Sequence, residues 1–220
     1  MSVDWLLGLT HGGPMQAEML QEQTSFALHA LAPNDERLLE WFAEAAGYKV
    51  RYVPQSLPDL LKTEEVIRHE VTSAVAARPE QRIETAAARL AAIGPLGIDL
   101  ECCSSLQSLE SFARGEGVWR TLPVGLRREQ LRRIVDVADE LYPMFRWFLY
   151  DGLERYAVPV TIFGPLRASL YLGQMYLVLT SADHVRTLTA HFEDLIRGAV
   201  VQPPDVPGVA RRLLAELDAA

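Results

Sequence analysis

Apolar residues in the first half of the chain recur at helical spacing, and in the second half the rhythm shifts to short alternating blocks. Met15 to Ala30 places Met19, Leu20, Phe26 and Ala27 on or near one helical face. In "APNDERLLEWFAEAAGYK", Asn34 is a candidate helix cap and Gly47 closes the element. Asp35 and Glu36 occupy its first turn, where carboxylates favour the positive end of the dipole. Leu38, Leu39, Trp41, Phe42 and Ala45 form its expected buried stripe. "KVRYVP" alternates as a strand that Pro54 ends. The stretch from Leu57 to Gly94 reads as a helical pair, its second member opened by Pro79 and closed by Gly94.

"GIDLECC" predicts a short strand and "SSLQSLESFARG" a helix that Ser104 or Ser105 caps and Gly115 ends. An amphipathic helix follows, with Leu126, Leu131, Ile134, Val135, Ala138 and Leu141 on one face. "FRWFLYD", "VPVTIFG", "RASLYLG" and "MYLVLTS" are then strands, the last three forming an antiparallel meander. "SADHVRTLTAHFEDLIRGAVV" predicts a final long helix capped by Ser181, and a short terminal helix closes the chain. The expected fold is α/β (α+β): a mixed, partly antiparallel sheet with a C-terminal meander, covered by helices and preceded by a helical N-terminal half. The expected division is a short opening segment over 1–14, a helical subregion with one short strand over 15–96, and a mixed-sheet domain over 97–220.

With 220 residues, 49% of them hydrophobic and 23% charged, the chain is long enough for one large core or two small ones. Carboxylates outnumber basic residues 29 to 21, a net charge of −8, which argues against this chain gripping nucleic acid by itself. Lys49 and Lys62 are its only lysines. The arginines suit fixed ion pairs or anion recognition and not proton transfer. No targeting segment is evident, and no apolar stretch approaches the ~20 residues of a membrane helix, so a cytoplasmic protein is expected.

The familiar catalytic signatures GxSxG, GxxxxGK[ST], HExxH and CxxC are missing. Glu65 and His69, at i and i+4, make two ligands at most, and a solvated ion pair accounts for them. His184 and His191 lie about two turns apart on the last long helix. Cys102 and Cys103 end a strand, one side chain on each face; redox or metal sensing there requires an exposed thiol of lowered pKa.

The strand faces are more informative. Alternation groups Arg167 with Ser169 and Tyr171, Tyr176 with Val178 and Thr180, and Arg146 with Phe148 and Tyr150. A face so polar either meets solvent or lines a pocket for a small polar or anionic ligand, with Trp119 and Arg120 on a loop that closes over it. The candidate ligand-binding residues are therefore Trp119, Arg120, Arg146, Tyr150, Arg167, Ser169, Tyr171 and Tyr176. No catalytic residue, metal site or cofactor is expected.

Val3, Trp5, Leu6, Leu7 and Gly8 in "SVDWLLGLTH" resemble the end of the helix-turn-helix domain in the Xre (phage-repressor-like) family of transcriptional regulators, whose last helix there typically reads Val-x-x-Trp-Leu-Leu-Gly. Pro58-Asp59-Leu60-Leu61-Lys62-Thr63 is similar to the Pro-Gly-Leu-Leu-Gln-Thr found past the DNA domain in many such regulators. An Arg-rich helix and a Glu-Gln-Leu helix follow there, as "RPEQRIETAAARL" and Glu129-Gln130-Leu131 do here. The resemblance implies the C-terminal effector and dimerisation domain of an Xre-type regulator, with residues 1–14 the end of a DNA domain that is otherwise missing. It implies a homodimer, a small-molecule effector, DNA contact only through the missing N-terminal module, no membrane and no catalysis. Met15 to Ala30 or Ala182 to Gly198 would supply the dimer seam. The competing readings are a hydrolase-like enzyme with a non-standard carboxylate or Cys site, and a purely structural dimerisation domain.

Overall fold

A computed structural model describes residues 24–28, 36–72, 79–92, 99–172 and 175–219. In chain order its elements are β1 (Thr24–Leu28), α1 (Glu36–Glu44), β2 (Lys49–Val53), α2 (Glu64–Thr72), α3 (Pro79–Ala92), β3 (Asp99–Ser105), α4 (Leu106–Arg114) and α5 (Val124–Leu141). There follow β4 (Phe145–Tyr150), β5 (Val160–Phe163), β6 (Arg167–Tyr171), β7 (Met175–Leu179), α6 (Ala182–Arg197), β8 (Ala199–Val201) and α7 (Val206–Ala219). The strands form one eight-stranded sheet in the order β1-β7-β6-β5-β2-β3-β4-β8, an α/β fold as the patterning predicts.

β2, β3 and β4 are parallel neighbours, and the other pairings are antiparallel, including the expected β5–β6–β7 meander. The chain passes from β2 to β3 and from β3 to β4 in one direction across the sheet, and right-handed crossovers of that kind carry their helices to one face. Buried residues of α1, α2, α4, α5 and α7 accordingly share a core with Val50, Leu100, Cys102, Trp147 and Phe163. On the other face α6 buries Val185, Phe192 and Leu195 against Cys103, Phe148 and Ile162. β7 and β8 lie six strand positions apart, about 29 Å at ~4.8 Å per spacing, and the 16 residues of α6 span about 24 Å. One helix therefore crosses most of that face.

Local signals account for the helix ends that matter. Ser105 caps α4, its Oγ accepting the Ser108 N–H at 3.2 Å, and Gly115 closes the helix at φ +70, where a side chain would be strained.

Part of one expected helix and the end of another give way to strands. Residues 24–28 are β1 and not part of a helix, and the long helix expected from Ser181 stops at Arg197, leaving Ala199–Val201 as β8. Short apolar runs carry no decisive period. The outer edges of β7 and β4 would otherwise present unpaired backbone N–H and C=O groups, which β1 and β8 satisfy. Of the two helices named for a dimer seam, the first is in part a strand, and α6 turns its apolar residues to the sheet. β2, from the first half, lies near the middle of the sheet between β5 and β3. The opening segment over 1–14, Asn34 and Gly94 lie outside the described residues. Among the described residues no helix is long and apolar enough to cross a membrane.

Candidate functional site

Beyond the carboxyl end of β2 the chain turns through Pro54, Gln55 and Ser56 into a single 3₁₀ turn, Asp59–Leu61. These residues, Glu70 of α2 and the faces of β5, β6 and β7 enclose a cleft of about 90 Å³. In open α/β sheets ligands collect beyond the carboxyl ends of strands. Tyr52, Thr161 and Ser169 stand directly opposite one another on β2, β5 and β6, so their side chains form one row along the cleft. Two residues further along, Tyr171 pairs with Tyr176, their ring centroids 5.3 Å apart and tilted by 47°.

Lys62 supplies the cleft's positive charge. Its side chain is 2% exposed, with Nζ 2.7 Å from Asp59 Oδ1 and 2.7 Å from Glu70 Oε2. Ser56 donates to the other oxygen of Glu70. A buried ammonium is costly unless paired and hydrogen-bonded, and the two carboxylates meet that need. Ser169 differs. The residue is 1% exposed, and its Oγ has no hydrogen-bond partner. An unsatisfied buried hydroxyl costs about 1–3 kcal/mol, which a ligand bonding to it would recover.

The 3₁₀ turn is held from behind by α5. Gln130, fully buried, accepts the Thr63 N–H at 2.7 Å through Oε1 and donates to the Leu61 carbonyl at 2.7 Å through Nε2. The Pro58–Thr63 and Glu129–Leu131 motifs are thus one structural unit. Asp59 and Lys62, the two positions that differ from Pro-Gly-Leu-Leu-Gln-Thr, both line the cleft.

The expected ligand-binding residues divide. Ser169, Tyr171 and Tyr176 line the cleft. Arg167 shares their face, but its guanidinium lies 5.3 Å over the Trp41 ring and pairs with Glu44. Arg146 and Tyr150 lie on the opposite face, a phase the register fixes through Trp147, Cys102 and Tyr52. There Arg146 joins Lys49 and Arg51 around the buried Glu101 carboxylate, at 3.0 Å from it, and also holds Asp99 at 2.7 Å. Tyr150 is buried beside Cys103, and burial, ahead of the neighbouring thiols, pushes its phenol pKa up. Trp119 is a core residue, 5.0 Å edge-on to Phe112 and stacked on His69 at 6.0 Å. Arg120 is exposed and donates to the Gly117 carbonyl. Neither closes over the cleft.

Cys102 and Cys103 point to opposite faces, and both are fully buried. Burial pushes the Cys102 thiol well above its usual pKa; the Cys103 charge adds to this, and a hydrogen bond with Tyr52 opposes it. Burial, then the Glu101 charge, raises Cys103. Only the thiolate is nucleophilic. Neither cysteine is therefore expected to react with Ellman's reagent in the folded protein at pH 8, and both should react in urea. Fast labelling of one thiol under native conditions would overturn that expectation. His69 Nε2 lies 3.0 Å from the Val118 carbonyl, and among the described residues no three His, Cys, Asp or Glu side chains gather as metal ligands.

Tyr52, Asp59, Lys62, Glu70 and Thr161 are among the cleft residues that pattern reading misses. A lysine in a chain whose other basic residues, Lys49 apart, are all arginine is the one signal that points to Lys62.

No protein-family model matches the chain, and no curated protein matches it. Several solved structures are similar in outline, TrmBL2, Nuc and NucT among them. TrmBL2, an archaeal chromatin protein with a novel mode of DNA binding, matches with a TM-score of 0.42 and 12% identity over 90% of this chain. This chain spans 58% of TrmBL2. Nuc from Salmonella typhimurium, a phospholipase D family member, has a TM-score of 0.45 and 10% identity over 82% of this chain and 98% of its own. NucT from Helicobacter pylori has a TM-score of 0.40 and 11% identity over 81% of this chain and 98% of its own. The expectation of a chain without catalysis is corrected by the presence of Nuc and NucT among these neighbours. At TM-scores of 0.45 and 0.40 neither lends this chain a substrate or a reaction.

Proposed function

We propose that this chain is the effector-sensing part of a transcriptional regulator of Xre type, receiving a small polar molecule in the cleft between the Asp59–Leu61 turn and the β5–β7 meander. One observation carries the reading: a segment resembling these regulators, Pro58–Thr63, forms a wall of the cleft along which the buried Ser169 hydroxyl has no partner. A two-fold operator calls for a two-fold protein, so the regulator acts as a homodimer and reads DNA through a helix-turn-helix module. The effector works by binding one dimer geometry more tightly than the other.

Ser169→Ala separates a binding role from a structural one. The hydroxyl has no bond to lose, so the unliganded variant should be as stable as the parent or slightly more so. A small molecule that stabilises the parent in a thermal-shift panel, by about 2.7 kcal/mol at a hundredfold excess over Kd, should bind Ser169→Ala about tenfold more weakly. A variant that loses stability yet keeps its response would place the ligand elsewhere.

A further inference from the structure

The chemistry of the cleft walls narrows the ligand class, on the premise that the cleft is the effector site. We infer that it binds a small organic cation, an ammonium head group on a short carbon chain. Among the described residues that line it, Asp59 and Glu70 are acidic and Lys62 alone is basic, a balance of one negative charge. Lys62 is engaged by both carboxylates, so an anion approaching its ammonium would meet Asp59 and Glu70 at close range. The arginines suited to an anion lie elsewhere: Arg167 on Trp41, Arg146 in the Glu101 network on the opposite face.

The remaining walls favour the same class. Tyr52, Tyr171 and Tyr176 line the cleft, and the faces of tyrosine rings attract ammonium groups. A serine hydroxyl carries two acceptor lone pairs, so Ser169 Oγ can accept an ammonium N–H. Size sets the limit. The cleft, about 90 Å³, is a small site, enough for a head group and a few carbons.

Three probes of nearly equal size separate the charge classes: ethylammonium, acetate and ethylene glycol. Each is titrated to about 50 mM at matched ionic strength, above the millimolar Kd expected of so small a fragment, while the amide signals of Tyr52, Thr161 and Ser169 are followed by NMR. The expected result is that ethylammonium moves these signals with a Kd at least tenfold below that of acetate. Asp59→Asn should weaken ethylammonium about tenfold and leave any response to glycol unchanged. Equal or tighter binding of acetate or glycol at the same residues overturns the cation assignment and leaves the cleft as an effector site. Should all three probes leave Tyr52, Thr161 and Ser169 unmoved, the cation assignment and the effector site fall together.

Discussion

Gln130→Leu is expected to lower stability by about 2–5 kcal/mol, because one buried and one half-buried backbone group lose their partner, and a fully buried one costs about 1–3 kcal/mol unsatisfied. The Thr63 N–H and the Leu61 carbonyl are those groups, each 2.7 Å from the Gln130 amide. The thermal midpoint should fall by roughly 4–20 °C, taking ~2–4 °C per kcal/mol for a chain of this length. Gln130→Glu refines the test. Its carboxylate still accepts from Thr63, but it has no donor for the Leu61 carbonyl, sets acceptor against acceptor and buries a charge, so the loss at neutral pH should be at least as large. The turn that Gln130 holds also presents Asp59 and Lys62 to the cleft, so both variants should lose ligand response beyond what lower stability explains. A loss below about 1 kcal/mol in both variants, within the range of ordinary substitutions, would mean that water replaces the amide and the two motifs are not braced by it.

The parts of this architecture visible in the sequence are those with a local cause. The β5–β7 meander follows from turn residues at short intervals, and α4 follows from Ser105 and Gly115. Alternation within "RASLYLG" groups Ser169 with Tyr171, as the structure does, because the period of a strand is fixed by its own backbone. It could not place Arg146 and Tyr150 relative to that face. Their phase passes from β6 through β5, β2 and β3 to β4, and a slip of one residue in any pairing inverts it. Reading a helix onward from Leu57 hid the cleft for a similar reason. Lys62 and Glu70 meet because the chain breaks between the 3₁₀ turn and α2, and that break is braced by Gln130, 68 residues after Lys62 in the chain. No local window contains both sides of that contact.

Phe163→Ala tests how the cleft's outer wall is attached, and a loss of about 3–5 kcal/mol is expected for deleting so large a buried ring. Phe163 is fully buried opposite Val50, with Trp41 edge-on at 5.7 Å and Phe42 edge-on at 5.2 Å. Both rings belong to α1, whose Leu38 lines the cleft. Edge-to-face pairs add about 0.5–1.5 kcal/mol beyond the area they bury, so this cluster ties α1 to the sheet beside the buried Leu38. Arg167, stacked on Trp41 and paired with the half-exposed Glu44, adds a surface contact worth about 0–1 kcal/mol. Phe163→Leu stays apolar but loses both ring pairs and part of the volume, so it should lose about 1–3 kcal/mol, less than Phe163→Ala. In urea the midpoint for Phe163→Ala should fall with an unchanged m-value, and amide exchange in α1 should quicken more than in α5, whose Leu131 and Ile134 keep their own buried places. If α1 keeps its protection while the whole chain loses stability, its attachment does not run through Phe163, and the cleft wall at Leu38 is held by other contacts.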